Sequence, residues 1–148
     1  MLDHARVLAT VAGSLILSSA ATAQPAAEGG RKLMATLTGA AEVPAGDPDG
    51  SGTAWFTVNP GQKRICYKVM VSGIAMPTAA HIHIGAAGTA PPNNVVVPLE
   101  APADGDAEAC ADVSRELALA ILKDPSNYYI NVHNADYPTG ALRGQLMP

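Results

Sequence analysis

Ala79-Ala80-His81-Ile82-His83-Ile84 alternates, and the alternation is the key to the rest of the chain. On an extended strand successive side chains leave opposite faces, so Ile82 and Ile84 share one face and His81 and His83 the other. Tyr128-Tyr129-Ile130-Asn131-Val132-His133 follows the same rule. Tyr128, Ile130 and Val132 form its apolar face, while Tyr129, Asn131 and His133 point away from it. Each segment is a strand with an apolar side for a core and a polar side carrying imidazoles.

Outward from these two, short runs of β-branched and apolar residues recur between Gly, Pro, Asn and Asp punctuation. They predict strands at Leu33–Leu37, Gly52–Val58, Arg64–Val71, Ala79–Ile84, Val95–Leu99, Glu108–Val113, Tyr128–His133 and Ala141–Leu146. Ser114 to Lys123 instead consists of helix formers behind an N-cap residue and stops before Pro125. It predicts a short helix packed through Leu117, Ile121 and a neighbouring leucine. About eight strands and one helix make an all-β fold, a Greek-key or immunoglobulin-like sandwich or a barrel. Gly46 to Ser51 holds two aspartates, but Pro48 interrupts it and no acidic residue closes a calcium loop, so it reads as a polar turn.

The first 23 residues read as an export signal: Arg6, the apolar stretch Val7–Leu17, then small residues ending at Ala21-Thr22-Ala23. Residues 24–31, rich in Ala, Gly and Pro, read as a flexible leader, and residues 32–148 as one β-domain. That start places the protein in a periplasm or outside the cell. The apolar stretch is shorter than the ~20 residues of a membrane-spanning helix, and no later stretch is long enough either. With 9 Lys plus Arg against 13 Asp plus Glu, and no basic run, nucleic acid and anionic membranes are poor partners. Cys66 and Cys110 are the only cysteines. In an exported domain they predict one disulfide; two buried thiols or a metal-binding pair are the alternatives.

His81, His83 and His133 are the only histidines beyond the signal. If their strands are neighbours, about 4.8 Å apart, the three imidazoles converge. Three neutral imidazoles suit copper(II) or zinc(II), and the affinity order of divalent ions favours copper. Asp136, Met34, Met70 and Met76 are spare ligands without an assigned place. The competing expectation is a structural or protein-interaction module, in which the histidines and Asn131 form a hydrogen-bonded cluster. Arg143 and Gln145 would then be framework residues, the arginine reaching backbone carbonyls or Glu42. A catalytic role finds no support: there is no Gly-x-Ser-x-Gly elbow, no His-Glu-x-x-His helix and no serine in a nucleophile's setting. The chain is not expected to be an enzyme.

Three stretches carry a family resemblance: Leu37-Thr38-Gly39-Ala40-Ala41-Glu42-Val43-Pro44, Ala80-His81-Ile82-His83-Ile84-Gly85, and Tyr129–His133 leading to Pro138–Leu146. In this order they resemble the CHRD family, named after the modules of chordin and found alone in bacterial exported proteins. The resemblance implies an immunoglobulin-like or related β-sandwich and no established catalytic activity. Two positions depart from the family pattern: Asn134 stands where threonine is usual, and Ala141 where an acidic residue often precedes Arg-Gly-Gln. The layout is also similar to the copper half of Cu,Zn superoxide dismutase, with Arg143 in the place of an anion-guiding arginine. The further histidines of a zinc subsite are missing, so dismutase-like copper chemistry is a weak alternative.

Overall fold

A computed structural model describes residues 29–148; the expected signal and most of the leader lie outside the described residues. The chain runs β1 (Arg31–Thr38), β2 (Ser51–Asn59), β3 (Arg64–Ser72), β4 (Pro77–Ile84), β5 (Val95–Leu99), β6 (Asp106–Asp112), α1 (Arg115–Lys123), β7 (Tyr128–Asn134) and β8 (Leu142–Gln145). β1 begins at Arg31, a residue expected to belong to the leader. Every predicted strand is present, with no end moved by more than two residues.

All eight strands belong to one antiparallel sheet, in the order β5-β4-β7-β8-β1-β2-β3-β6. The sheet curls into a nearly closed barrel, and the choice between sandwich and barrel falls to the barrel. β8 and β1 join its two halves through Thr38 opposite Arg143 and a bridge between Met34 and Met147. Gly144 permits that join, because a Cβ there would strike the backbone carbonyl oxygen of Thr36. The open seam lies between β5 and β6, and the Tyr67 hydroxyl on β3 spans it by accepting the Glu100 N–H at 2.8 Å. Pro98 lies in the edge strand β5, and Asp106, Glu108 and Asp112 in the edge strand β6.

The inward faces supply the core. Leu33, Ala35 and Leu37 of β1, Phe56 and Val58 of β2, and Ile65 and Val69 of β3 meet Ile82, Val97, Ile130, Val132 and Leu142. Removing each of these side chains larger than alanine from water is worth about 1.5–3 kcal/mol. Ile84 departs from its expected inward position: at the end of β4 it is 39% exposed.

Ser114 caps α1, its Oγ accepting from the Leu117 N–H at 3.0 Å. The helix buries Ala118 and Ile121, while Leu117 and Leu122 are only partly covered. Leu117, Ile121 and the neighbouring Leu122 pack on the core as expected, and Ala118 is buried with them. Cys66 and Cys110 face each other across β3 and β6 and form the disulfide. Asp47 Oδ1 accepts the Asp49 N–H at 3.1 Å, which closes the Gly46–Ser51 segment as the polar turn its sequence suggests. Among the described residues no helix is long and apolar enough to cross a membrane.

Candidate metal centre

β4 and β7 are adjacent and antiparallel, with His81 opposite Asn131, His83 opposite Tyr129, and Ala79 opposite His133. On the other side of β7, Arg143 of β8 faces Asn131 and Gln145 faces Tyr129. The non-core face therefore carries two parallel rows, His83-Tyr129-Gln145 and His81-Asn131-Arg143, with His133 diagonal to His81. One nitrogen from each of His81, His83 and His133 lies within 4.8 Å of the others. This is the convergence that the alternation implied, and it depends on the strand neighbourhood and on nothing local.

Two of the rings have their tautomers set. Nδ1 of His133 meets the Pro138 carbonyl oxygen at 3.1 Å, so it bears the proton and Nε2 carries the lone pair. Nδ1 of His83 meets Oδ1 of Asn94 at 2.8 Å, while its Nε2 is buried with no hydrogen-bond partner among the described residues. His81 Nδ1 and His133 Nε2 lie 3.1 Å apart. Two nitrogens each about 2.0–2.1 Å from one ion stand roughly 2.9 Å apart at a right angle and roughly 3.3 Å apart at the tetrahedral angle. The observed spacing falls between those values. Without an ion the His81 Nδ1–H donates to His133 Nε2; taking up an ion requires that the His81 proton move to its own Nε2 and that the three nitrogens, spread over as much as 4.8 Å, draw closer.

Burial lowers the His81 pKa below that of free imidazole, and the nearby His133 and His83 reinforce the effect. His133 is lowered as well, by burial first, against the pull of the Pro138 carbonyl and with help from His83. Neutral imidazole is the form that binds metal, so the cluster is biased toward it.

This outer face is far from bare. Arg143 is 1% exposed, and its guanidinium donates to the carbonyls of Thr89 (2.6 Å) and Ala86 (2.9 Å) and to Oε1 of Gln145 (3.1 Å). It lies 3.5 Å over the Tyr129 ring, and His83 stacks on that same ring with centroids 4.9 Å apart and planes 6° from parallel. Residues 85–94 are thereby strapped across the sheet. The framework role expected for Arg143 and Gln145 is present, through backbone carbonyls. Glu42, 7% exposed, interacts with Asn131 and the Val43 N–H, and feels Arg143 only as a neighbouring charge. Burial raises its pKa above the usual carboxylate value, against those three influences.

The dismutase likeness fails at its arginine. A guanidinium committed to two carbonyls and a ring, and shut off from water, is unavailable to guide an anion. Asp136 is exposed and outside the cluster, Met34 and Met70 lie on β1 and β3, and Met76 is 69% exposed ahead of β4. Asn94 and the stacking role of Tyr129 were not foreseen. Asn94 sits in a Pro-Pro-Asn-Asn loop with no periodicity to betray a partner, whereas the placement of Tyr129 opposite His83 on the outer face was a usable signal.

The stretches Leu37–Pro44, Ala80–Gly85, Tyr129–His133 and Pro138–Leu146 supply nearly every residue of this face. A family model described as CHRD domain matches residues 33–146, nearly the whole described chain. The chain belongs to the CHRD family. No curated protein and no solved structure matches it. Of the two departures from the CHRD pattern, Asn134 is 1% exposed and closes the turn after β7, its Oδ1 accepting the Tyr137 N–H at 2.8 Å. Ala141 is fully buried, and the carboxylate that acts on Arg143 in this CHRD domain is that of Glu42.

Proposed function

We propose that this CHRD domain is an exported, non-catalytic protein that holds one transition-metal ion between His81, His83 and His133, copper(II) in preference to zinc(II). The observation that carries the reading is the buried Nε2 of His83, without a hydrogen-bond partner among the described residues, beside two imidazole nitrogens spaced as a shared ion requires. A buried polar atom left without a partner costs about 1–3 kcal/mol, and a metal ion would remove that cost. Three imidazoles without thiolate suit either ion, and copper(II) binds nitrogen sites more tightly than zinc(II). Three protein ligands leave a coordination position for water or for a partner that delivers or accepts the ion. Export is supported by the signal-like first 23 residues and by the Cys66–Cys110 disulfide.

The test is a copper titration of metal-stripped protein, followed by calorimetry and electron paramagnetic resonance. One copper per chain with nitrogen hyperfine structure is expected, and His83→Ala should weaken binding severely. Stoichiometric binding that survives replacement of all three histidines by alanine would refute the reading.

A second reading rests on the layered contact of Arg143, Tyr129 and His83. There the imidazoles serve a polar framework that fixes residues 85–94, and the domain is a structural or interaction module. His83→Ala would then lower the melting temperature equally with and without copper. Under the metal reading, copper raises the melting temperature of the wild type and leaves that of the variant unmoved.

A further inference from the structure

We infer that Asn94, in the loop between β4 and β5, is a positioning residue that locks His83 in the Nδ1–H tautomer and so presents its Nε2 lone pair to the ion. The inference deepens the proposed metal role and rests on it for its second half only.

The direction of the Asn94 amide is fixed by its other contacts. Its Nδ2 donates to the Ile84 carbonyl at 2.9 Å and to the Tyr129 hydroxyl at 2.8 Å. A flipped amide would set its oxygen against the Ile84 carbonyl, two acceptors facing one another, so only the observed orientation is satisfied. Oδ1 is then the atom toward His83, and an acceptor at 2.8 Å demands a proton on Nδ1. A neutral ring with its proton on Nδ1 has a bare lone pair on Nε2, the atom that is buried without a partner among the described residues.

The ring is held in its other degree of freedom too. Tyr129 stacks on His83 with planes 6° from parallel, and the same Tyr129 hydroxyl is anchored by Asn94. One amide therefore sets the proton, the in-plane rotation and, through Tyr129, the tilt of the imidazole. An outer partner of this kind is typically worth 10–100-fold in metal affinity.

The lock is measurable without metal. In metal-free wild-type protein with 15N-labelled histidine, at a pH where the rings are neutral, His83 should show a pyrrole-type Nδ1 and a pyridine-type Nε2. The opposite assignment overturns the inference. In Asn94→Leu the His83 signals should move toward a mixture of tautomers, and copper affinity should fall about 10–100-fold. Asn94→Asp keeps an acceptor at Nδ1 but loses both donated bonds, so it separates tautomer control from loop anchoring. It should keep the wild-type tautomer and most of the affinity. Equal losses in the two variants mean that Asn94 only pins the loop, and equal retention means that it does nothing for the site; either result overturns the inference. If Asn94→Leu does not fold, the wild-type spectrum and Asn94→Asp still decide. A wild type that shows the Nδ1–H tautomer and takes up no copper confirms the lock and refutes the proposed metal function.

Discussion

Arg143→Met keeps most of the buried stem and removes the guanidinium, which isolates what the charge contributes. Its donations to the Thr89 and Ala86 carbonyls, at 2.6 and 2.9 Å, are charge-assisted bonds worth roughly 1.5–3 kcal/mol each. The desolvated contact with Tyr129 adds about 2 kcal/mol. Against this gross gain of roughly 5–8 kcal/mol stands the several kcal/mol that burial of an ion costs, which the variant recovers. A net loss of about 3 kcal/mol is expected. For a domain of this size, near 4 °C per kcal/mol, that lowers the melting temperature by about 12 °C. Circular dichroism would read the unfolding, and limited proteolysis within residues 85–94 would read release of the strap. Arg143→Lys should not rescue it, since one ammonium lacks the planar fork that reaches two carbonyls while lying flat on a ring. A melting temperature within about 2 °C of wild type, together with unchanged cleavage of the strap, would show that the stack is incidental.

Acid should weaken the fold through His81 and His133, whose folded pKa values lie below the ordinary 6.5. Below 6.5 the unfolded chain gains protons that the folded one resists, so stability falls with pH until the folded values are passed. Urea midpoints across this range should show the slope, and replacing both histidines by alanine should flatten it. Glu42 acts in the opposite sense, because its raised folded pKa makes the native state take up a proton before the unfolded chain does. Glu42→Gln should therefore make the acid loss steeper just above pH 4.5, as urea midpoints across that interval would show. Replacing Cys66 and Cys110 by alanine frees a separation of 44 residues and should cost about 4 kcal/mol in urea unfolding. A loss under about 1 kcal/mol would mean that the unfolded chain is already confined there.

Alternation made the strands and the sorting of faces legible, since Ile82, Ile130 and Val132 had only one side to go to. The helix was legible from Ser114 and Pro125, the disulfide from cysteine number and the signal-like start. The choice of barrel over sandwich was not, because closure rests on Gly144 passing close to Thr36, a contact between residues far apart in sequence. The three-histidine cluster was legible because imidazoles on alternate positions of two strands need only adjacency to meet. What orients them was not. Asn94 is a loop residue whose role exists only once residues 85–94 fold back over the sheet, and the sequence offers Arg143 as a framework residue without saying that its carbonyl partners are those of Thr89 and Ala86. Ile84 erred for a related reason: alternation assigns a face, but a strand's last residue can run past the core it faces.

The seam between β5 and β6 has one more consequence. An uncompleted sheet offers two rows of unspent amide groups, and such rows recruit strands from other molecules. Here the first carries Pro98, which has no N–H to give, and the second carries Asp106, Glu108 and Asp112, which repel a like edge. Chains crowded together, or strung in series on one polypeptide, can thus stand side by side without zipping into fibrils.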